Sequence, residues 1–409
     1  MLIGMAHPSF TTPGGAEILA ARHAEYLRSA GHDIRLVTTA IDAERWQHLG
    51  AVADVRVVGK RWTDGIGMPG THSKLYRRVA RQGAALAGAR VVLAENFPAN
   101  IVAAAVRGAE RIVWYCNEPS RRLYAREGSP TLAARAKQHP TEDDALLIAA
   151  ARATFAKHDA ALANSAKLQA ERALDAAALP RLTRIIANST FSAELVRRVY
   201  GRSADTIIHP TVPIVASVPP RGSAGLDSAG LRVLVHSRLE ELKNIAMVMR
   251  GFHSFAKRHP GAHELHIVGQ GPDEENLRTL ARTLQIDTAV HFHGFLDQPT
   301  LESVYARCEV MALLPADEPF GMVFPEAAQR GLLLMGPDHG GPLEILDGGA
   351  LGWTLDIFSP EPLAEAFAEA WALPADEVAR RRERTATACR NRYGPQATLP
   401  VLLAELVDD

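Results

Sequence analysis

Short apolar runs alternate with amphipathic stretches along this 409-residue chain, and they do so in two series. Leu2 to Ala6, Ile34 to Val37, Val55 to Val58, Val91 to Leu93, Ile112 to Tyr115, Ile185 to Ile186 and Thr206 to Ile208 make the first. Leu231 to Val235, Leu265 to Val268, Val290 to Phe292, Val310 to Leu314 and Leu332 to Met335 make the second. Apolar runs of this length, separated by helical periods, suit strands buried on both faces of a parallel sheet. Between the series, residues 211–230 are dominated by Pro, Gly and Ser, as in a linker. The pattern predicts an α/β chain with two doubly wound domains facing a central cleft. The N-terminal domain spans 1–210 and takes back a C-terminal helix at about 393–409. The linker is 211–230, and the C-terminal domain is 231–392. In such sheets ligands collect at the carboxyl ends of the strands.

Composition narrows the class. The chain is 47% hydrophobic and 22% charged, which suits a globular protein with sizeable cores. A net charge of -1 gives no electrostatic case for nucleic-acid binding. Cys116, Cys308 and Cys389 are far apart and lack metal-ligand spacing, which points to a reducing compartment. The N-terminus lacks a basic region followed by a long apolar core, and no run of eighteen apolar residues occurs. A cytoplasmic location is expected, with peripheral attachment at the inner membrane face compatible with it.

Glu318 and Glu326 stand with seven residues between them in Asp317-Glu318-Pro319-Phe320-Gly321-Met322-Val323-Phe324-Pro325-Glu326. The stretch Cys308 to Leu314 reads as a buried strand, and Pro325 and Glu326 open a helix that Gly331 stops. One acid then lies on a strand-to-helix loop and the other in a helix's first turn, where backbone N–H groups and the helix dipole favour anions. The same two acids also suit a plain stabilising role at a helix start. Gly14 and Gly15 open a helix after the first strand and permit close approach to a phosphate, or mark an ordinary loop-to-helix transition. Neither belongs to a full dinucleotide-binding fingerprint.

Ser237-Arg238-Leu239-Glu240-Glu241-Leu242-Lys243-Asn244 follows a strand, with Asn244 as the expected N-cap of the next helix. Lys243 lies at that helix's positive end, where a cation is unfavourable unless an anion binds. Arg238 could chelate the same anion bidentately. Pairing of Arg238 or Lys243 with Glu240 or Glu241 is the alternative. Gly269-Gln270-Gly271-Pro272, His293-Gly294-Phe295 and Gly340-Gly341-Pro342 are further strand-end turns. Asn117, in Tyr115-Cys116-Asn117-Glu118-Pro119, fits either a functional position or a turn before proline.

Taken in order, these elements resemble family 4 of the retaining glycosyltransferases, which have the GT-B fold of two Rossmann-like domains. The resemblance covers most of the chain, and further runs on Ile186-Ala187-Asn188-Ser189 with Tyr200-Gly201 and Glu344 carry it. It implies a nucleoside-diphosphate-sugar donor. Gly14 and Gly15 would approach the diphosphate, which Arg238 and Lys243 would neutralise. Glu318 and the backbone from Phe320 through Gly321 and Met322 to Val323 would hold the sugar. Glu326 would hold the ribose, and Gly269 and Phe295 would line the base. Where Asn117 stands the family often carries His, and an amide cannot transfer a proton at neutral pH.

The implied reaction is front-face transfer with retention, in which the leaving diphosphate helps deprotonate the acceptor and cations stabilise departing charge. Glu318, Asn117, Arg238 and Lys243 are the catalytic candidates. No Asp-x-Asp motif occurs, so neither a metal nor another cofactor is expected. The acceptor could be a glycan, a lipid-linked molecule or a small molecule. A sugar-nucleotide epimerase or phosphorylase of similar fold, or a non-catalytic nucleotide-sugar binding protein, remains the competing reading. Lys60, Arg61 and Trp62, with Lys74, Tyr76, Arg77, Arg78 and Arg81, form a basic patch. It suits either an anionic membrane surface or a solvated helix face.

Overall fold

The structure is a computed structural model that describes residues 1–12, 14–59, 71–215 and 230–408, with the side chains of 71–73 left out. Most of the linker and the segment Lys60-Arg61-Trp62 lie outside the described residues.

Two compact units form. The first comprises 1–128, 154–211 and 395–409. Its strands are β1 (Leu2–Ala6), β2 (Asp33–Thr38), β3 (Asp54–Val57), β4 (Val91–Glu95), β5 (Arg111–Cys116), β6 (Arg184–Ala187) and β7 (Thr206–Ile207). They make one parallel sheet in the order β3-β2-β1-β4-β5-β6-β7. Alternate residues of each strand feed opposite layers. Val91, Leu93, Val113 and Tyr115 join one core with Ile3 and Met5, and Val92, Ala94, Ile112 and Trp114 join the other. Full burial of each large apolar side chain contributes roughly 1.5–3 kcal/mol, so both layers are strongly driven. Helix Pro395–Val407 belongs to this unit, placing Leu402 and Leu406 in the Ile3 core.

The second unit comprises 129–153 and 212–394. Its strands are β8 (Arg232–His236), β9 (Glu264–Val268), β10 (Val290–Gly294), β11 (Val310–Ala312), β12 (Leu333–Pro337) and β13 (Trp353–Leu355). All pair in parallel in the order β10-β9-β8-β11-β12-β13. Gly251 lets helix Ile245–Arg258 sit close to Leu363, whose Cδ2 would lie 2.8 Å from a Cβ at that position.

Several local expectations are corrected. The run Cys308 to Leu314 is buried throughout, but only Val310–Ala312 pairs as strand. The helix bearing Glu326 starts at Val323, so Pro325 is its third residue and not its first. Asn244 occupies the N-cap position in a left-handed conformation (φ 54°), and its amide Nδ2 donates to Ile357 O instead of capping. Residues 129–153, counted from sequence with the N-terminal domain, pack in the second unit. The reason is local to that unit: Asp317 accepts the backbone N–H groups of Thr131 and Leu132, both at 3.0 Å, capping helix Pro130–Arg135. Arg135 also stacks 5.2 Å over the Phe358 ring.

Candidate active site

Because all six strands of the second unit are parallel, the loops after β8, β9, β10, β11 and β12 leave one edge of the sheet. Backbone hydrogen bonds stitch these loops together. Ser237 N donates to Val268 O (3.0 Å), Leu239 N to Gln270 O (3.0 Å) and Gly269 N to Gly294 O (2.8 Å). Ala316 N donates to Leu242 O (2.9 Å) and Gly341 N to Glu318 O (2.8 Å). The glycines make this approach sterically feasible. A Cβ on Gly269, whose φ is 128°, would lie 1.8 Å from Ser237 O; one on Gly341 would lie 2.3 Å from Pro319 O. These glycines are therefore required by loop-on-loop packing, before any ligand is considered.

Lys243 and Glu318 meet on this edge. Lys243 Nζ donates to Glu318 Oε2 at 2.6 Å, with the two side chains 26% and 18% exposed. The acid next to Glu318 has a different task. Asp317, in a left-handed conformation (φ 52°), spends its carboxylate on the helix cap, and its N–H donates to His339 Nε2 at 3.3 Å. Gly321 adopts φ 91° between Phe320 and Met322. Phe320 is buried against Tyr393, with ring centroids 5.3 Å apart, while Met322 and Val323 are half-buried. In the first turn, Phe324 N and Glu326 N already donate to Gly321 O and Met322 O, and Pro325 has no N–H. Fewer backbone donors face a ligand here than the sequence implied.

Glu326 stands over a network that the sequence did not reveal. Arg330 donates to Glu326 O at 2.9 Å, binds Glu302 at 2.5 Å, and lies 4.8 Å over the Tyr305 ring. The Tyr305 hydroxyl is hydrogen-bonded to His236 Nδ1 at 2.9 Å. Burial and then the charge of Glu326 push the Tyr305 hydroxyl well up. Burial, with Arg330 nearby, lowers His236 to about 4, so it is neutral at pH 7. The position of His236, last in β8 and just before Ser237-Arg238, was the available signal.

Arg238 is 75% exposed on its side chain and pairs with Glu240 at 2.7 Å, as the alternative pairing anticipated. Phe295, just beyond β10, is 64% exposed, unusual for an aromatic side chain this large.

Gly14, Gly15 and Asn117 belong to the first unit. Gly14 caps helix Gly15–Ser29 with an extended backbone (φ -90°), so its conformation does not demand glycine. The helix is pinned to β4 by His23 and Glu95, 2.6 Å apart and both buried. Asn117 follows β5 and sits in a chain of amides. Its Nδ2 donates to Asn96 Oδ1 (2.5 Å), and its Oδ1 accepts from Asn188 Nδ2 (3.1 Å). Its carbonyl accepts from Ser192 Oγ at 2.6 Å. Among the described residues, no group of three or more His, Cys, Asp or Glu is placed to hold a metal, and no helix is long and apolar enough to cross a membrane.

Residues 221–391 match the family "Glycosyl transferases group 1". The matched residues lie within the second unit. An uncharacterized glycosyltransferase of Methanocaldococcus jannaschii is 30% identical over 126 residues, covering 31% of this chain and 32% of that protein. A glycogen synthase of Mycobacterium tuberculosis is 31% identical over 174 residues, 42% of this chain and 40% of that protein. A D-inositol 3-phosphate glycosyltransferase of Rhodococcus erythropolis is 25% identical over 252 residues, 53% of this chain and 57% of that protein. The chain thus spans from about a third to just over half the length of these relatives. Whole-chain likeness is to structures. Anabaena Alr3699/HepE, solved with UDP and glucose, superposes with a TM-score of 0.71 at 18% identity, covering 99% of each chain. WaaG, a glycosyltransferase involved in lipopolysaccharide biosynthesis, gives 0.68 at 14% identity, covering 100% of each. These likenesses show the fold, which is GT-B.

Proposed function

We propose that the chain is a retaining glycosyltransferase that moves a sugar from a nucleoside-diphosphate sugar to an acceptor hydroxyl. The observation that carries this reading is the Lys243–Glu318 pair at the strand-end edge of a group 1 domain. A diphosphate arriving there offers Lys243 a second anion, and the released Glu318 carboxylate can accept sugar hydroxyls. Arg238, exchanging Glu240 for phosphate, adds a planar bidentate donor. Glu326, fixed from below through Arg330, is the ribose acceptor in this scheme, with Phe295 against the base. Related structures hold UDP and UDP-glucose, which favours a donor of that class here.

The reaction we assign is front-face displacement. Positive charge develops on the sugar and negative charge on the leaving phosphate, and cations at Lys243 and Arg238 stabilise the latter more in the transition state than in the ground state. Asn117 takes no part in proton transfer, because an amide cannot supply it. No metal is required in this scheme. The test is incubation with a panel of nucleoside-diphosphate sugars and acceptors, reading product anomeric configuration by proton NMR. Release of nucleoside diphosphate with an α-linked product from an α-donor is expected; an inverted product would sink the retaining assignment. Binding without turnover across the panel would favour the binding-protein reading.

A cytoplasmic location and peripheral contact with an anionic membrane complete the proposal. Helix Thr71–Ala85 exposes Lys74, Tyr76, Arg77 and Arg81. Each basic residue near an anionic surface contributes about 1 kcal/mol. Co-sedimentation with anionic vesicles at low salt is expected, and its absence would leave a soluble acceptor.

A further inference from the structure

The helix that carries Glu326 is poorly equipped to hold it in place. Val323–Gln329 has only seven residues, and Pro325 stands within its first turn. A helix this short has little stability of its own, so its position must be fixed from outside. Its C-terminal end shows how. The Arg330 backbone N–H donates to Ala327 O at 3.0 Å and bypasses Glu326 O. The Arg330 side chain takes that carbonyl instead, with Nη1 at 2.9 Å. The last carbonyls of a helix need partners from beyond it, and here the carbonyl so held is that of the acid itself.

The guanidinium is clamped in turn. Nε donates to Glu302 Oε2 at 2.7 Å and Nη2 to Glu302 Oε1 at 2.5 Å. This two-point pairing fixes the plane of the group and directs Nη1 at Glu326 O. Tyr305, three residues after Glu302 in helix Gln298–Arg307, is buried beneath the guanidinium, 4.8 Å from ring centre to carbon. Its bond to His236 ties that ring to the end of β8. Burial works against the charge of Arg330, but hydrogen bonding to Glu302, with Glu326 adding, holds its pKa above the ordinary value. The fork belongs to arginine alone: a lysine would keep the charge and lose the plane.

We propose that Glu302 and Arg330 are positioning residues for donor binding, which together hold Glu326 at the distance and angle that a ribose diol requires. The inference rests on the transferase reading, in which Glu326 accepts the ribose hydroxyls. A binding group must be kept within about 0.5 Å of its productive place, and two neighbouring hydroxyls on one carboxylate make that demand twice. The pair acts through the backbone of the helix. Its loss should therefore show as a loss of ribose recognition, with the diphosphate and base contacts retained.

Calorimetric titration of the full chain with UDP, ADP and GDP identifies the diphosphate it binds, and the 2′,3′-dideoxy analogue of that nucleotide is then compared with it. Arg330→Lys should weaken the ribonucleotide about five- to tenfold and the dideoxy analogue less than about twofold. Glu302→Gln, at a side chain 43% exposed, should act in the same direction by less, and carries the test should Arg330→Lys not fold. The double variant should be no weaker than Arg330→Lys, because both changes break one pairing. In turnover the donor KM should rise, with kcat held within about twofold. Equal weakening of ribonucleotide and dideoxy analogue overturns the inference. Unchanged ribonucleotide affinity in both single variants at normal melting temperature overturns it too, as do additive losses in the double variant. Those outcomes leave wild-type diphosphate binding, and so the transferase reading, intact. A wild-type chain that binds none of the three diphosphates removes that reading and the inference with it.

Discussion

Lys243 Nζ lies 2.6 Å from Glu318 Oε2, tying the loop after β8 to the loop after β11. Each charge is satisfied by the other until something better arrives. In the proposed donor site the pair would gate affinity, because a diphosphate would compete with Glu318 for the ammonium group.

The two partners should respond with opposite signs. Lys243→Ala removes a charge-assisted phosphate contact, which typically contributes about 1.5–3 kcal/mol. Glu318→Gln removes the competitor and should leave nucleoside-diphosphate affinity unchanged or tighter. Arg238→Ala should weaken the diphosphate like Lys243→Ala, with nucleoside affinity barely changed. Titration calorimetry with diphosphate and nucleoside reads all three; equal losses for both ligands would remove the diphosphate assignment.

Kinetics separate the two glutamates. Glu318→Gln should chiefly lower kcat, because the sugar carries developing charge only in the transition state. Glu326→Gln should chiefly raise the donor KM through lost ribose bonding. A kcat loss confined to Glu326→Gln would reverse these roles.

Glycine substitutions distinguish packing from ligand approach. Gly269→Ala forces a Cβ into Ser237 O from a left-handed φ of 128°, and should cost roughly 1–3 kcal/mol or more in the absence of any ligand. Gly14→Ala meets only the Glu17 carboxylate from an extended backbone, and should change stability by less than about 1 kcal/mol. Urea denaturation of the two variants measures this directly. Equal stability of both would mean the second-unit loops part more easily than their hydrogen bonds suggest.

Acid should destabilise the first unit through His7. This side chain, just past β1, is buried, and burial lowers it from 6.5 to about 3, with the Ser9 backbone only partly opposing the fall. Between those values the unfolded chain holds a proton that the folded chain does not. Stability is therefore full above pH 6.5 and falls as pH drops toward 3, by roughly 1.4 kcal/mol per pH unit from this group. His7→Leu should lose correspondingly less between pH 6.5 and 5 in urea titrations. Parallel curves for the two proteins would show that His7 does not titrate in this way.

Much of this was legible in the sequence because it is local. Val91 to Leu93 and Ile112 to Tyr115 announce themselves as strands because both faces are buried, and Glu318 and Glu326 lie on the elements expected from their spacing. β13 escaped notice because Trp353-Thr354-Leu355 is three residues long and has no apolar run. Asn244 looked like a cap because its type favours one, but a tertiary bond to Ile357 O took the side chain away. Asn164-Ser165 and Asn188-Ser189 are alike in sequence, and each Ser caps the helix after it, accepting from Leu168 N and Ser192 N. Non-local pairs were out of reach: nothing in the sequence ties Glu302 to Arg330, or Tyr305 to His236.

The cap that Asp317 places on Thr131 and Leu132 bears on how the chain can be divided. The backbone passes between the two units four times, at 128/129, 153/154, 211/212 and 394/395. A cut at the linker would yield fragments that are not the units. The C-terminal piece would keep Asp317 in its left-handed conformation with both N–H donors gone, and Phe358 without Arg135. It would also carry away the helix that fills the Ile3 core. Exchange of halves between related proteins at this point would seat residues 129–153 of one parent on Asp317 and Phe358 of the other, so a swap that keeps the units whole needs all four crossing points and not the linker alone.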